Sequence, residues 1–424
     1  MNQIRVALNK LPPAATIKIL RKVFALPAPA ARLILNDVTK PLSAHKLWIH
    51  KVAWNGEWSG CWIGEHIKHL DQASLQKRID DCDIILFNVH GGGFRIGTCT
   101  MYMATYISWI KVLKHSYGLE AMIMSVDYRL APEFKYPSPV EDVVRAYESL
   151  CKKVDAGKII VTGDSAGAAL LLEMLFITHD PSMFEIVLDE KQEGVALAEL
   201  PRPAGAVFIS PLVTDETTSV SWKNNIKYDY ISQHTAKVIK KDYFGRLGPD
   251  ETNQILGIAK LETGFRSFLP EQVLMFVGQR EVLLDDALDL AMRAERDGIQ
   301  WETVAEDCVH DWFCVREVVK DKKMLIRADA AFADFCYRAL RRIPKMGVSA
   351  RPLIDAHSSS YSTFRRSSEG LEMVLEEDED SDYDTNDEFS DTDQESTAIY
   401  TANLGKKKYS STAGKKEEIK TVLV

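Results

Sequence analysis

The apolar positions of this chain alternate between two spacings. Short runs rich in β-branched and aromatic residues, at Asp83 to Val89, Ala121 to Val126, Ile159 to Thr162, Ala204 to Ile209, Val273 to Val277 and Gln300 to Ala305, are mostly separated by stretches of helical spacing. That alternation predicts parallel strands joined by crossover helices, because the chain must cross back over the sheet before the next strand can lie parallel. Two further β runs, Lys46 to Trp54 and Glu57 to Ile63, are joined by Asn55-Gly56, a dipeptide that tolerates the backbone of a tight hairpin. They predict an antiparallel start to a mainly parallel sheet of eight strands flanked by helices.

Helical sequence between the runs carries its own punctuation. Ser138-Pro139-Val140-Glu141 combines a cap residue, proline at the first helical position and a capping-box glutamate, so it predicts a helix start. Residues 1 to 44 hold two short helical patterns, Ala14 to Leu26 and Ala30 to Leu35, parted by Pro27 and Pro29, which lack backbone donors. They read as a helical cap segment over a binding cleft, with a place on a membrane surface as the alternative. Between about 212 and 268 the strand rhythm lapses into aromatic and charged helical sequence, including Thr235 to Phe244, which predicts a lid inserted over the sheet's active edge. The body thus runs from 45 to 344. Residues 345 to 424 are rich in Ser, Thr, Asp, Glu and Lys with few periodic apolar positions, the composition of a disordered tail.

Composition narrows the function. At 424 residues and 46% hydrophobic, the chain can bury one large core or two modest ones, which excludes wholesale disorder. Much of the acid behind its net charge of -9 lies between Glu376 and Glu395, and the remainder is near balance, so no nucleic-acid partner is expected. Seven scattered cysteines without CxxC spacing point to free thiols in a reducing compartment and to no zinc site. No signal-peptide pattern opens the sequence, and its longest apolar stretch, Ala166 to Ile177, is broken by Glu173 and too short for a bilayer. A cytoplasmic location is expected, free or peripheral to the endoplasmic reticulum or lipid droplets. In the tail, Arg365-Arg366-Ser367-Ser368 and the acid-flanked Ser381, Thr385, Ser390 and Thr392 are candidate kinase sites, a purely solubilising tail being the alternative.

The chemistry concentrates in two motifs. In Ile159-Ile160-Val161-Thr162-Gly163-Asp164-Ser165-Ala166-Gly167 a predicted strand breaks into Gly-x-Ser-x-Gly and then into the helical run Ala168 to Thr178. A serine hydroxyl is a poor nucleophile at neutral pH and needs a strained, exposed turn beside a base, which flanking glycines permit. Ser165 is therefore the candidate nucleophile. Upstream, at the end of another predicted strand, stands His90-Gly91-Gly92-Gly93-Phe94. Glycines there let backbone N–H groups converge on one point, as a developing oxyanion requires. A flexible loop or a phosphate cradle is the other reading, though no Gly-Lys-Ser/Thr follows to make a P-loop.

With Asp127-Tyr128-Arg129-Leu130-Ala131-Pro132-Glu133 between them, these motifs resemble the hormone-sensitive-lipase-like branch of the α/β-hydrolases over roughly residues 45 to 340. The resemblance implies an α/β-hydrolase fold with a helical cap and a serine carboxylesterase or lipase that needs no cofactor or metal. It implies that Ser165 attacks the ester carbonyl while the N–H groups of Gly92, Gly93 and Ala166 bind the oxyanion. His90, Gly91 and Asp164 would be structural residues near the site, His90 shaping the loop, and Arg129 would pair with Glu133.

The acid and base then follow in the order Ser, acid, His. After the lid come only His310 and His357, and His357 falls in the tail, so His310 in Cys308-Val309-His310-Asp311-Trp312-Phe313 is the candidate base. The family usually has aspartate where Glu281 aligns, in Gly278-Gln279-Arg280-Glu281, although glutamate can serve. Asp285 and Asp286 are alternatives that also read as N-terminal acids of a helix Asp286 to Arg296. The expected substrate is a hydrophobic ester: a short- or medium-chain acyl ester, a steryl ester or a glyceride. It would meet the aromatics Trp222, Tyr228, Tyr230, Tyr243 and Phe244, which equally suit a lid core. A non-catalytic small-molecule-binding protein on the same fold is the alternative.

Overall fold

The central strands are apolar at nearly every position because both faces of their sheet are covered. The computed structural model describes residues 11–180, 199–245 and 257–343. In chain order these form α1 (Pro13–Phe24), α2 (Ala28–Val38), β1 (Ile49–Val52), β2 (Gly60–Ile63), α3 (Gln72–Asp80), β3 (Ile84–Val89), α4 (Met103–Tyr117), β4 (Ala121–Val126) and α5 (Ser138–Cys151). Then follow β5 (Ile159–Asp164), α6 (Ala166–His179), β6 (Gly205–Ile209), α7 (Val220–Asn225), α8 (Gln233–Phe244), α9 (Phe265–Phe268), β7 (Gln272–Gly278), α10 (Leu284–Arg296), β8 (Gln300–Glu306) and α11 (Lys322–Arg341).

Among the described residues eight strands form one sheet in the order β1-β2-β4-β3-β5-β6-β7-β8. β2 pairs antiparallel with both β1 and β4, and the other pairings are parallel, as the sequence pattern predicts. Alternation along each strand splits the core in two. Ile85, Phe87 and Val89 of β3 face the core built with α3, α5, α6 and α10, whereas Ile84 and Leu86 face the one built with α4 and α11.

Several local expectations are corrected. Asn55 Oδ1 accepts from the Glu57 and Trp58 amides and Gly56 has φ +93°, yet the ladder stops at Val52 and Gly60, so the connection is longer than a two-residue hairpin. Ser138 is the first residue of α5, and Pro137 occupies the cap position without a side-chain cap bond. Glu141 points instead to Arg129, whose guanidinium binds Glu141 at 2.9 Å and Asp142 at 2.9 Å. Arg129 therefore does not pair with Glu133; that carboxylate takes Arg32 of α2 at 2.7 Å.

The aromatics between β6 and β7 are mostly packing groups. Trp222, Tyr230, Tyr243 and Phe244 are buried, Tyr243 stacking on Phe94 at 3.8 Å, while Tyr228 is exposed. Cys61, Cys82, Cys99, Cys151, Cys308, Cys314 and Cys336 are free thiols. The expected tail, with its candidate kinase sites and His357, lies outside the described residues.

Candidate active site

Ser165 caps α6 at the point where β5 ends, with φ +49° and ψ −116°. A non-glycine residue held in such a region costs about 1–3 kcal/mol, so neighbours must over-determine it. They do so by close approach. A Cβ on Gly167 would lie 2.1 Å from Val89 O, and one on Gly163 would lie 2.9 Å from the Gly167 carbonyl carbon. The Ser165 amide donates to Ile209 O at 2.8 Å, tying the turn to β6. β5 runs two residues further than its apolar pattern predicts, and α6 starts two residues earlier, which places Ser165 at the junction.

The loop after β8 brings His310 across the sheet edge, with Nε2 2.9 Å from Ser165 Oγ. The loop after β7 brings Glu281, whose Oε2 lies 3.6 Å from His310 Nδ1. That is ion-pair range, too long for a hydrogen bond, and apo sites often hold such contacts open. Ser210 Oγ donates to Glu281 Oε2 at 2.5 Å and accepts from the Asp311 amide at 2.9 Å, so it links the two loops. Asp285 and Asp286 do not reach this group. Asp285 accepts from the Ser221 amide at 2.6 Å and Asp286 from Ser219 Oγ at 3.2 Å, anchoring the start of α7.

The glycine loop is fastened beside the serine. Gly91 N–H donates to Asp164 Oδ1 at 2.9 Å, and Tyr102 O–H donates to Asp164 Oδ2 at 2.9 Å. Gly92 and Gly93 have φ +100° and +60°, which side-chain-bearing residues adopt only under strain. Ala166 opens α6, where first-turn amides have no intrahelical acceptor. His90 is buried: its Nδ1 lies 2.8 Å from Gly91 O and its ring stacks on Tyr128 at 4.5 Å. Burial pulls its pKa below the usual histidine range.

Three residues escaped the sequence reading. Asp311 Oδ2 sits 3.2 Å from His310 Nε2 and accepts from Tyr230 O–H at 3.3 Å. Buried Asp229 accepts from the Val282 and Ile231 amides, holding the segment that carries Glu281; burial raises its pKa to about 6. Ser210 is the third. Only Asp311 left a signal in the sequence, its place directly after the histidine.

Electrostatics at the histidine are lopsided. Burial alone would hold the imidazole neutral, yet Asp311 and Glu281 together push its pKa well above the usual value. For Asp164, burial first and then the charge of Asp311 raise the pKa well above the carboxylate range. Ser165 and His310 open into a small cleft of about 40 Å³, walled by Phe94, Leu212, Trp222 and Ile239. The Asp215–Lys240 ion pair lies at the same cleft. Among the described residues no group of three or more His, Cys, Asp or Glu is arranged to hold a metal, and no helix is long and apolar enough to cross a membrane.

A buried serine–histidine pair on an eight-stranded, mostly parallel sheet defines a class, and the family comparison agrees with it. Residues 86–314 match a family model described as alpha/beta hydrolase fold, and the chain belongs to that family. Among curated proteins, Lipase 2 of Moraxella sp. (strain TA144) is 25% identical over 249 residues, 55% of this chain and 54% of that protein. An acetyl-hydrolase of Streptomyces hygroscopicus is 28% identical over 250 residues, 58% of this chain and 74% of that protein. An esterase of Acinetobacter venetianus is 23% identical over 238 residues, 51% and 63%. The chain thus spans 54% and 63% of the Moraxella and Acinetobacter proteins. Among solved structures, an esterase from the bacterial hormone-sensitive lipase family superimposes with a TM-score of 0.57 at 25% identity, covering 79% of this chain and 99% of that one.

Proposed function

We propose that this chain is a serine carboxylic-ester hydrolase acting on hydrophobic esters through an acyl-enzyme. The observation that carries this reading is the 2.9 Å contact between Ser165 Oγ and His310 Nε2 inside an apolar cleft. Ser165 Oγ attacks the ester carbonyl carbon as its proton passes to His310 Nε2. The resulting oxyanion is held by the N–H groups of Gly92, Gly93 and Ala166, the Gly91 amide being spent on Asp164. Collapse expels the alcohol, which takes the proton from Nε2. Water, deprotonated by the same nitrogen, then attacks the acyl carbonyl, releases the carboxylic acid and restores Ser165. Glu281 holds Nδ1–H and stabilises the imidazolium, closing the 3.6 Å gap as the site tightens.

The names of the relatives support ester chemistry, and the small apolar cleft supports short or medium acyl chains. A fluorophosphonate probe tests the reading: folded protein should take one adduct, at Ser165, and hydrolyse p-nitrophenyl esters. Ser165→Ala should abolish both. Folded wild-type protein with no adduct at Ser165 defeats it.

A further inference from the structure

Five of the thirteen large apolar side chains exposed among the described residues fall in one short segment. Leu33 is 76% exposed, Leu42 46% and Leu47 44%, and Ile19 and Ile34 are also exposed, all within or just after α1 and α2. Ile19, Ile34 and Leu42 line a groove of about 230 Å³ between these helices and the body, with Leu20, Val23 and Leu35 in its wall, while Leu33 and Leu47 stand outside it. Tyr102 and Tyr230 stand at its inner side, the same two side chains that hydrogen-bond Asp164 and Asp311 behind the serine–histidine pair.

This segment is also basic. Residues 11–48 carry Lys18, Arg21, Lys22, Arg32, Lys40 and Lys46 against a single acid, Asp37. Arg21 and Arg32 are turned inward, onto the Ile226 and Asp229 carbonyls and onto Glu133. The four lysines are exposed and alternate along the chain with the exposed apolar side chains. An apolar band edged by lysines is the pattern of a surface that lies in the headgroup region of an anionic bilayer.

We propose that the face built by α1, α2 and the segment to Trp48 docks on anionic lipid bilayers, with Leu33, Leu42 and Leu47 entering the interface and Lys18, Lys22, Lys40 and Lys46 meeting the headgroups. This surface is independent of the role given to Ser165.

Vesicle flotation of the full chain tests it, comparing phosphatidylcholine alone with phosphatidylcholine carrying roughly 30 mol% phosphatidylserine. Wild type should float with the anionic vesicles at least about tenfold more than with neutral ones, and 0.5 M salt (roughly a 4 Å screening length) should release it. Leu33→Glu with Leu47→Glu, and separately Lys18→Glu, Lys22→Glu and Lys46→Glu together, should each cut flotation about tenfold while the melting temperature stays put. Equal flotation on both vesicle types overturns the proposal. So do folded variants that float like wild type, and a face that mediates self-association in gel filtration while vesicles capture nothing.

Discussion

Asp311 Oδ2 lies 3.2 Å from Nε2 of His310, the same nitrogen that stands 2.9 Å from Ser165 Oγ. A carboxylate there competes with the serine for the imidazole and favours its charged form. The sign follows directly. His310 has a raised pKa in the folded protein, and catalysis needs Nε2 unprotonated, so kcat/KM should climb with pH through a limb above the ordinary histidine value of about 6.5. Asp311→Asn removes one of the two charges that raise it, so the limb should move to lower pH. The same linkage predicts a stability effect. The charged contact contributes fully below about pH 6.5 and is lost as pH rises through the raised folded value, so the variant should lose more stability at acid than at alkaline pH. Full pH profiles and melting curves check both, and an unmoved limb would count against the assignment.

Glu281 and Asp285 separate by function as they do in space. Glu281→Gln should lower kcat by about 10²–10⁴, because the imidazolium formed during attack loses its anionic partner. Asp285→Asn should leave kcat within a few-fold and lower the melting temperature instead, since Asp285 caps the Ser221 amide and not the histidine. Near-normal turnover in Glu281→Gln would remove it from the triad.

Arg32 fastens α2 to the body through three partners: Arg95 O at 2.6 Å, Ala131 O at 2.5 Å and Glu133 at 2.7 Å. The carboxylate is half exposed and contributes little once screened, so the two carbonyls dominate. Arg32→Ala should cost about 1–3 kcal/mol and open residues 25–45 to proteolysis before the sheet unfolds. Cleavage no faster than in wild type would show that Val23, Ala31 and Leu35, packed with Ile96, are sufficient.

The parts of this site that could be read from the sequence are those whose chemistry is local. Gly163, Gly167 and the three glycines after His90 are needed because backbone passes close to backbone, and such demands leave a pattern within a few residues. Glu281 and His310 could be ordered along the chain but not measured against each other. Ser210 and Asp229 were invisible because their roles arise only when β6, the loop after α7 and the loop after β7 converge, at sequence separations of 71 and 53 residues. Arg129 was mispaired for the same reason: Glu133 is closer in sequence, whereas α5 presents Glu141 and Asp142 about one turn from its start.

Ile239 of α8 sets the reach of the cleft. It lines the same cleft as Ser165, and a Cβ on Gly93 would come within 2.6 Å of its Cδ1, so it covers the glycine loop directly. Ile239→Ala removes three carbons from that wall without touching the serine–histidine contact. Each CH₂ of an acyl chain newly buried there is worth about 0.8 kcal/mol, roughly a factor of four in kcat/KM. The ratio of hexanoate to acetate hydrolysis should therefore rise about tenfold or more, carried mainly by the longer ester, while acetate changes little. Ile239→Trp should do the reverse and confine turnover to acetate. A chain-length profile that keeps its shape in both variants would place the acyl group away from α8.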